Sequence, residues 1–220
     1  MRQIALDGPA GAGKSTIAKE ISKKLGFMYV DTGAMYRTIA LYCINKNANL
    51  DDENVVSDLS EKAPIKITYE DGVQHMYLEG IDVSNLIRTE QVSKAASDIS
   101  KFGAVRTKLV AMQQELGNEY DVIMDGRDIG TVVLPNATLK IYLTASSLVR
   151  AKRRYDEYIE KGQEADLDAI QKDIEKRDYN DMHRAISPLM KATDAIEVDT
   201  SDMGIEEVVD TVIGLYNKVM

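Results

Sequence analysis

The sequence contains few of the residues that build disulfide, metal or membrane structures. Its one cysteine, Cys43, excludes an internal disulfide framework and a thiolate metal cluster. Its two histidines, His75 and His183, are far apart in the sequence and lack the spacing of zinc ligands. No apolar run approaches the roughly 18 residues of a membrane-spanning helix, and none near the start resembles a signal peptide. We therefore expect a cytoplasmic protein that does not bind membranes.

The charge of the chain argues against a general nucleic-acid binder. The formal net charge is −9, whereas binding to nucleic acid favours a basic surface. The arginines are nevertheless clustered, at residues 150–154 and again at residues 177–184. An acidic protein with local arginine clusters is better suited to small phosphorylated ligands than to a polymer. The length of 220 residues and the apolar fraction of 44% predict one α/β domain with inserted parts.

The stretch with the clearest chemistry follows the first apolar run, residues 3–7. Residues 8–15 read G-x-x-x-x-G-K-S, and a helical pattern covers residues 14–25. This strand–loop–helix context is that of a phosphate-binding loop (P-loop), in which backbone N–H groups and the positive end of the helix hold phosphates. Lys14 would reach the β- and γ-phosphates of a nucleoside triphosphate, and Ser15 would bind Mg²⁺. The predicted triphosphate contacts are Gly8, Pro9, Ala10, Gly11, Ala12, Gly13, Lys14, Ser15 and Thr16.

Polar residues follow two further strand-like runs, 27–30 and 122–124. Because open parallel sheets bind ligands at the carboxyl ends of their strands, both polar stretches are candidate ligand sites. After the first run, the pattern puts Arg37 in the first turn of a helix, where a cation is unfavourable unless an anion lies nearby. After the second run, Asp125 stands where the second acidic group of a P-loop enzyme reaches the Mg²⁺. We favour ligand binding over solvated turns at both places.

Two segments interrupt the simple alternation of strands and helices. Residues 65–78 alternate apolar and polar side chains around a central Asp-Gly turn, which predicts a β-hairpin within an inserted module at residues 63–85. Residues 147–161 and 167–182 form two strongly charged helices with few apolar residues, which predicts a mobile helical pair. Its arginines could close over phosphates, although we expect most of its charges to form solvated ion pairs. These arginines are Arg150, Arg153, Arg154, Arg177 and Arg184.

The remaining pattern favours a kinase for a small acceptor. Five short strands alternate with helices, which indicates a parallel sheet covered on both faces. No N-K-x-D motif for guanine occurs, and the chain is too short for most mechanical ATPases. It carries more arginines at strand ends and in the charged helices than one triphosphate needs, and arginine forks suit a second phosphate held for in-line attack. A nucleotide-dependent switch without turnover stays open at this point.

Four stretches resemble the bacterial cytidylate kinases, a family of nucleoside monophosphate kinases. They are residues 8–16, 31–37, 125–133 and 177–189, and they follow the family's order along the chain. The resemblance implies a single kinase domain over residues 1–220 with the P-loop NTPase fold, a five-stranded parallel sheet flanked by helices. It also implies a monophosphate-binding region at residues 31–116, which contains the β module 63–85, and a helical lid at residues 147–186.

The resemblance further implies a reaction. ATP, together with Mg²⁺, would donate its γ-phosphoryl group to the 5′-phosphate of CMP or dCMP in a monomeric enzyme. The implied catalytic residues are Lys14, Arg127, Arg177 and Arg184, and Arg153 would contact ATP. The implied CMP contacts are Thr32, Arg37, Ser97, Arg106, Arg127, Asp128, Arg177, Asp181 and Arg184. A different small acceptor, such as AMP, UMP or another metabolite, is the alternative.

The same resemblance divides these contacts among the parts of CMP. Phosphates would be bound by Arg37, Arg127 and Arg184, the cytosine by Ser97, Arg106 and Asp128, and the sugar by Arg177 and Asp181. Cytosine presents an amine donor that an aspartate accepts, whereas uracil would turn an unmatched carbonyl towards the acid. That mismatch would cost UMP about 1–3 kcal/mol.

Overall fold

The computed structural model describes residues 1–220 as an arrangement of strands and helices in which a strand usually precedes a helix. The strands are β1 (Gln3–Asp7), β2 (Met28–Asp31), β3 (Ile65–Glu70), β4 (Val73–Leu78), β5 (Ile81–Asp82), β6 (Val122–Gly126), β7 (Leu139–Thr144) and β8 (Ile196–Asp199). The helices are α1 (Lys14–Leu25), α2 (Thr32–Asn45), α3 (Glu53–Lys62), α4 (Glu90–Ile99), α5 (Gly103–Glu119), α6 (Ser147–Glu160), α7 (Leu167–His183) and α8 (Ile205–Val219). A 3-10 turn covers Leu86–Arg88, and a π-helical turn covers Ile129–Val133.

Five parallel strands form the main sheet, in the order β2-β6-β1-β7-β8. Alternate residues of a strand point to opposite faces of a sheet. Ile4 and Leu6 of the central strand accordingly pack with α1 and α8, whereas Ala5 packs on the other face with α2 and α5. Because helices cover both faces, the inner residues of the two central strands, 4–6 of β1 and 122–124 of β6, are apolar and buried. The predicted five-stranded α/β fold is confirmed.

A separate antiparallel sheet, in the order β3-β4-β5, lies between α3 and α4 in the chain. The turn between β3 and β4 consists of Asp71 and Gly72, whose φ angles of 49° and 76° are the left-handed values that a two-residue hairpin turn needs. The predicted hairpin is therefore present. Strand β5 was not predicted, because its two residues, Ile81 and Asp82, are too few to show a periodic pattern.

Helix α2 begins at Thr32, directly after strand β2. The Asp31 carboxylate accepts a hydrogen bond from the backbone N–H of Ala34 at 2.8 Å, and this cap starts the helix at Thr32. Arg37 therefore lies in the second turn of α2, and the prediction that it lies in the first turn is wrong.

The charged helices α6 and α7 pack against each other beside the P-loop. Few apolar side chains join them, and Ala151 and Ile174 are the ones that are fully buried within the two helices. No helix of the structure combines the length and the apolar character that crossing a bilayer requires.

Candidate active site

A cavity of about 650 Å³ opens at the carboxyl ends of the main-sheet strands β2 and β6, next to the P-loop that follows β1. Ligands bind at this edge in open α/β sheets. The cavity brings together every predicted site residue except Gly8, Pro9 and Arg150. One end lies against the P-loop, and the other end lies between α2, α4 and α5.

The two P-loop residues outside the cavity shape the loop itself. Gly8 has φ 149°, and a Cβ there would lie only 2.0 Å from the carbonyl oxygen of Leu143, so no larger residue fits so close to β7. The carbonyl oxygen of Pro9 accepts a hydrogen bond from Lys14 Nζ at 2.7 Å. Burial, followed by the nearby Arg127, lowers the pKa of Lys14. In this structure Lys14 Nζ is hydrogen-bonded to a carbonyl oxygen, and a bound polyphosphate would provide it with an anionic partner.

Ser15 and Asp125 form the pair of oxygen groups that suits a divalent cation. Ser15 Oγ donates to Asp125 Oδ2 at 2.8 Å, and the Tyr29 hydroxyl donates to Asp125 Oδ1 at 2.7 Å. Burial, followed by the neighbouring Asp31 carboxylate, raises the pKa of Asp125. A hydroxyl and a carboxylate are hard oxygen ligands of the kind that Mg²⁺ prefers. These residues therefore fit the predicted metal.

Arg37 is held by the residue that caps its own helix. Its Nη2 atom donates to Asp31 Oδ2 at 3.0 Å, so this carboxylate supplies the nearby anion that the sequence analysis required. Arg37 Nε is buried and has no hydrogen-bond partner. Gly33 leaves room for the arginine, because a Cβ there would lie 3.0 Å from Arg37 Nη1. The neighbouring Thr32 hydroxyl donates to the Asp125 carbonyl oxygen at 2.6 Å.

Three charged residues close the far end of the cavity. Asp128 Oδ2 accepts a hydrogen bond from Arg106, and Arg184 Nη2 lies 3.6 Å from Asp128 Oδ1. Asp128 and Arg106 are only 5% and 3% exposed. Burial, followed by Arg106, lowers the pKa of Arg184. The Tyr36 ring lies against the Arg106 guanidinium at 5.7 Å, and Ser97 lines the adjoining wall.

Arg127 and Arg177 stand between the two ends of the cavity. Arg127 Nε donates to Asp181 Oδ2 at 2.8 Å, and this carboxylate raises the pKa of Arg127 although burial acts in the opposite direction. Burial, followed by Arg127, lowers the pKa of Arg177 to about 10. Arg177 Nε is buried without a hydrogen-bond partner. Two adjacent guanidiniums, of which one has an unused donor, are groups of the kind that suits an anion.

Asp7 organises the loop that carries Arg127 and Asp128. Its carboxylate accepts hydrogen bonds from the backbone N–H groups of Ile129 at 2.8 Å and Gly130 at 2.7 Å. Burial raises the pKa of Asp7 to about 6. No motif predicts a role for Asp7, and the signal in the sequence is an acid at the end of a buried strand, directly before the P-loop.

Arg150, one of the arginines of the charged helices that could close over phosphates, does not line the cavity. This arginine is 6% exposed and joins the helical pair to the P-loop. Its Nη1 atom donates to Asp178 Oδ2 at 2.6 Å and to the Ala10 carbonyl oxygen at 2.8 Å, and its Nε donates to the Ala145 carbonyl oxygen at 2.9 Å. The backbone N–H of Ala10 in turn donates to Asp178 Oδ1 at 3.2 Å. A helical charge pattern identifies a polar face, but it does not identify which of its charges will be buried by a neighbouring loop.

The cavity also extends past the P-loop towards the start of α8, where sequence reasoning identified Arg153 alone. Arg153 donates to the Thr200 carbonyl oxygen at 2.6 Å and to its hydroxyl at 3.2 Å. Met203, Gly204 and Ile205 line the same wall. No motif marks these residues, because they provide an apolar and backbone surface rather than charged groups.

Comparisons with known proteins agree with this geometry. The sequence model of the family described as Cytidylate kinase matches residues 4–218. The chain belongs to the cytidylate kinase family. The cytidylate kinase of Lactobacillus gasseri is 49% identical over 218 residues, which cover 99% of this chain and 95% of that protein. The cytidylate kinase of Caldicellulosiruptor bescii is 49% identical over 217 residues, which cover 99% of this chain and 96% of that protein.

Membership of the cytidylate kinase family confirms the resemblance inferred from the motifs. A solved gluconokinase from Sinorhizobium meliloti has a TM-score of 0.50 and 12% identity, with 99% of this chain and 93% of that chain covered. At this low identity the likeness supports the shared kinase fold alone.

Proposed function

We propose that this protein transfers the γ-phosphoryl group of ATP to the 5′-phosphate of CMP and dCMP. The observation that carries the proposal is one continuous cavity with a P-loop at one end, a second set of arginines at the other, and Arg127 and Arg177 between them. A single triphosphate would leave the second set without a ligand. Two nucleotides that meet end to end would use both.

The donor end suits ATP. Backbone N–H groups of the P-loop and Lys14 would hold its phosphates. Its base would lie between Arg153 and the surface formed by Met203 and Ile205, which line the same cavity. Ser15 and Asp125 would hold Mg²⁺, which, when bound, neutralises charge on the phosphate oxygens.

The acceptor end suits a cytidine monophosphate. The unpartnered Arg37 Nε would donate to its phosphate. Asp128 would accept from the exocyclic amine of cytosine, with Arg106 and Ser97 facing the ring acceptors. Arg177 and Asp181 would contact the sugar. The acidic group that faces the base is the feature that would favour CMP over UMP.

The chemical step needs positioning more than it needs a base. The acceptor phosphate is ionised at neutral pH, so one of its oxygens forms a bond to the γ-phosphorus while the bond from that phosphorus to the β-phosphate oxygen breaks. ADP leaves with that electron pair. Lys14, Arg127, Arg177 and Arg184 would stabilise the charge that is spread over the transferred group. Closure of α6 and α7 would exclude water and so limit hydrolysis of ATP.

A panel of monophosphates tests the proposal. The purified protein is supplied with ATP and Mg²⁺, and ADP release is measured with CMP, dCMP, UMP, AMP or no acceptor. We expect CMP and dCMP to give the highest kcat/KM. A better rate with AMP or UMP would overturn the assigned acceptor. Tight nucleotide binding without acceptor-dependent ADP release would instead indicate a nucleotide-dependent switch. Size-exclusion chromatography of the same sample tests the expected monomer.

A further inference from the structure

One side chain of the small antiparallel sheet, Gln74 of β4, is hydrogen-bonded to Asp31, which lines the cavity. Strand β2 lies at the edge of the main sheet and pairs with β6 alone. An edge strand exposes backbone N–H and C=O groups that no neighbouring strand satisfies. Gln74 approaches β2 at its last residue, Asp31, where the strand meets the candidate acceptor site.

The Gln74 side chain bonds both backbone groups of Asp31. The Asp31 N–H donates to Gln74 Oε1 at 2.8 Å, and Gln74 Nε2 donates to the Asp31 carbonyl oxygen at 3.3 Å. A primary amide has the same kinds of donor and acceptor as a peptide unit. The Gln74 side chain therefore makes the two hydrogen bonds that a neighbouring strand would make with Asp31. The contact thereby fixes the end of β2 from its open side.

The position of Asp31 determines the position of Arg37. One oxygen of the Asp31 carboxylate accepts from the Ala34 N–H at 2.8 Å, and the other accepts from Arg37 Nη2 at 3.0 Å. This pairing leaves Arg37 Nε without a partner inside the cavity wall. A shift of the Asp31 backbone would move both the helix cap and the guanidinium.

We propose that Gln74 is a positioning residue through which the inserted β-sheet fixes Asp31, and with it Arg37, for binding of the acceptor phosphate. The inference rests on the proposed function, because it takes Arg37 as a ligand of that phosphate. It assigns to the inserted sheet a task in acceptor binding that is carried by Gln74 and needs no direct contact between the sheet and CMP.

Kinetics of a Gln74→Ala variant test this role. Gln74→Ala removes both hydrogen bonds to Asp31, so we expect KM for CMP to rise between about fivefold, the equivalent of one bond, and about 30-fold, the equivalent of two. KM for ATP should stay within about twofold, because Gln74 does not line the donor end. A His75→Ala variant is the matched control, since His75 Nδ1 pairs with Asp82 Oδ2 at 2.9 Å inside the small sheet and does not reach β2. We expect its KM for CMP to be unchanged.

A double-mutant cycle separates positioning from general destabilisation. In an Arg37→Ala background, Gln74→Ala should add no further rise in KM for CMP. A full additional rise in that background would overturn the role of Gln74 and leave the proposed function intact. An Arg37→Ala variant with normal KM for CMP would instead overturn the assignment of Arg37, and the Gln74 proposal with it. If Gln74→Ala does not fold, Gln74→Met keeps the side-chain length without the amide and enters the same cycle.

Discussion

Replacing Asp128 with asparagine tests the end of the cavity that we assign to the base. The substitution keeps the size of the side chain and removes its charge. In the structure, the Asp128 carboxylate serves two arginines, because one oxygen accepts from Arg106 and the other lies 3.6 Å from Arg184. The variant therefore leaves two buried guanidiniums close together with one neutral amide.

The stability cost follows from that burial. Removing one partner of a buried ion pair costs about 3–5 kcal/mol, and the retained amide oxygen places Asp128→Asn at about the lower figure. A domain of this kind has a total stability of about 5–15 kcal/mol. We therefore expect the variant to stay folded at 25 °C, with a lower midpoint in urea.

Asp128→Asn should also change which base the enzyme prefers. The asparagine amide can donate a hydrogen bond to the uracil carbonyl oxygen, whereas the aspartate carboxylate cannot. The discrimination against UMP should therefore weaken. A buried polar mismatch is worth about 1–3 kcal/mol, which corresponds to a fall of about 5- to 150-fold in the ratio of kcat/KM for CMP to that for UMP. The affinity for ATP should change little, because Asp128 lies at the opposite end of the cavity from the P-loop.

The assay is ADP release with each acceptor, together with a binding titration of ATP. Asp98→Asn is the control, since Asp98 is exposed on α4 next to Ser97 and loses the same charge. An unchanged CMP to UMP ratio in a folded Asp128→Asn variant would refute base recognition by this carboxylate. Equal losses of CMP use and ATP binding would assign Asp128 a structural role instead.

Three further perturbations test other parts of the site. Lys14→Ala should abolish ADP release and change the free energy of unfolding by no more than about 1 kcal/mol, since Lys14 Nζ makes one hydrogen bond, to the Pro9 carbonyl oxygen. Retained turnover would exclude its catalytic role. For Asp7, the folded pKa of about 6 lies above the ordinary value of 3.8, so its favourable contribution is present at low pH and is lost as the pH rises through about 6. The stability of the wild type relative to Asp7→Asn should therefore fall by about 2 kcal/mol between pH 4 and pH 7, and parallel pH profiles of the two proteins would contradict this. Arg150→Met should lower the free energy of unfolding, measured in urea, by about 3–5 kcal/mol, because it leaves Asp178 buried without its cation. The double variant with Asp178→Leu should recover part of that loss. A double variant that is no more stable than Arg150→Met would count against a stabilising ion pair.

The sequence could predict the residues at the edge of the main sheet because a parallel sheet gathers its strand ends in one place. Lys14 and Ser15 belong to a motif with a fixed geometry, and Asp125 follows an apolar strand directly. Their proximity therefore follows from the order of strands and loops. The order of strands and loops does not predict which side chains pair with each other. Arg127, for example, pairs with Asp181, 54 positions away in the chain, because α7 packs on the loop that carries Arg127.

The errors and omissions have the same physical origin. Arg150 resembles its neighbours in the charge pattern, yet the approach of the P-loop buries it and converts it into a structural link. Gln74 is one polar residue in an alternating strand, and its importance depends on which edge of the main sheet the hairpin meets. Periodicity reports which face of an element is apolar, but it contains no information about what that face will meet.

The arrangement of carboxylates and arginines also explains why the site needs two ligands. Aspartates hold the guanidiniums in fixed positions, yet Arg37 Nε, Arg177 Nε and Arg184 Nη2 are buried without hydrogen-bond partners. A buried donor without a partner costs about 1–3 kcal/mol, and phosphate oxygens would remove that cost. Arg37 and Arg184 lie towards the acceptor end, and Arg177 lies beside Arg127 near the P-loop, so a triphosphate on the P-loop alone would leave the acceptor-side donors unsatisfied. A switch protein that binds one nucleotide has no use for that second set, whereas a kinase that transfers a phosphoryl group from one nucleotide to another does.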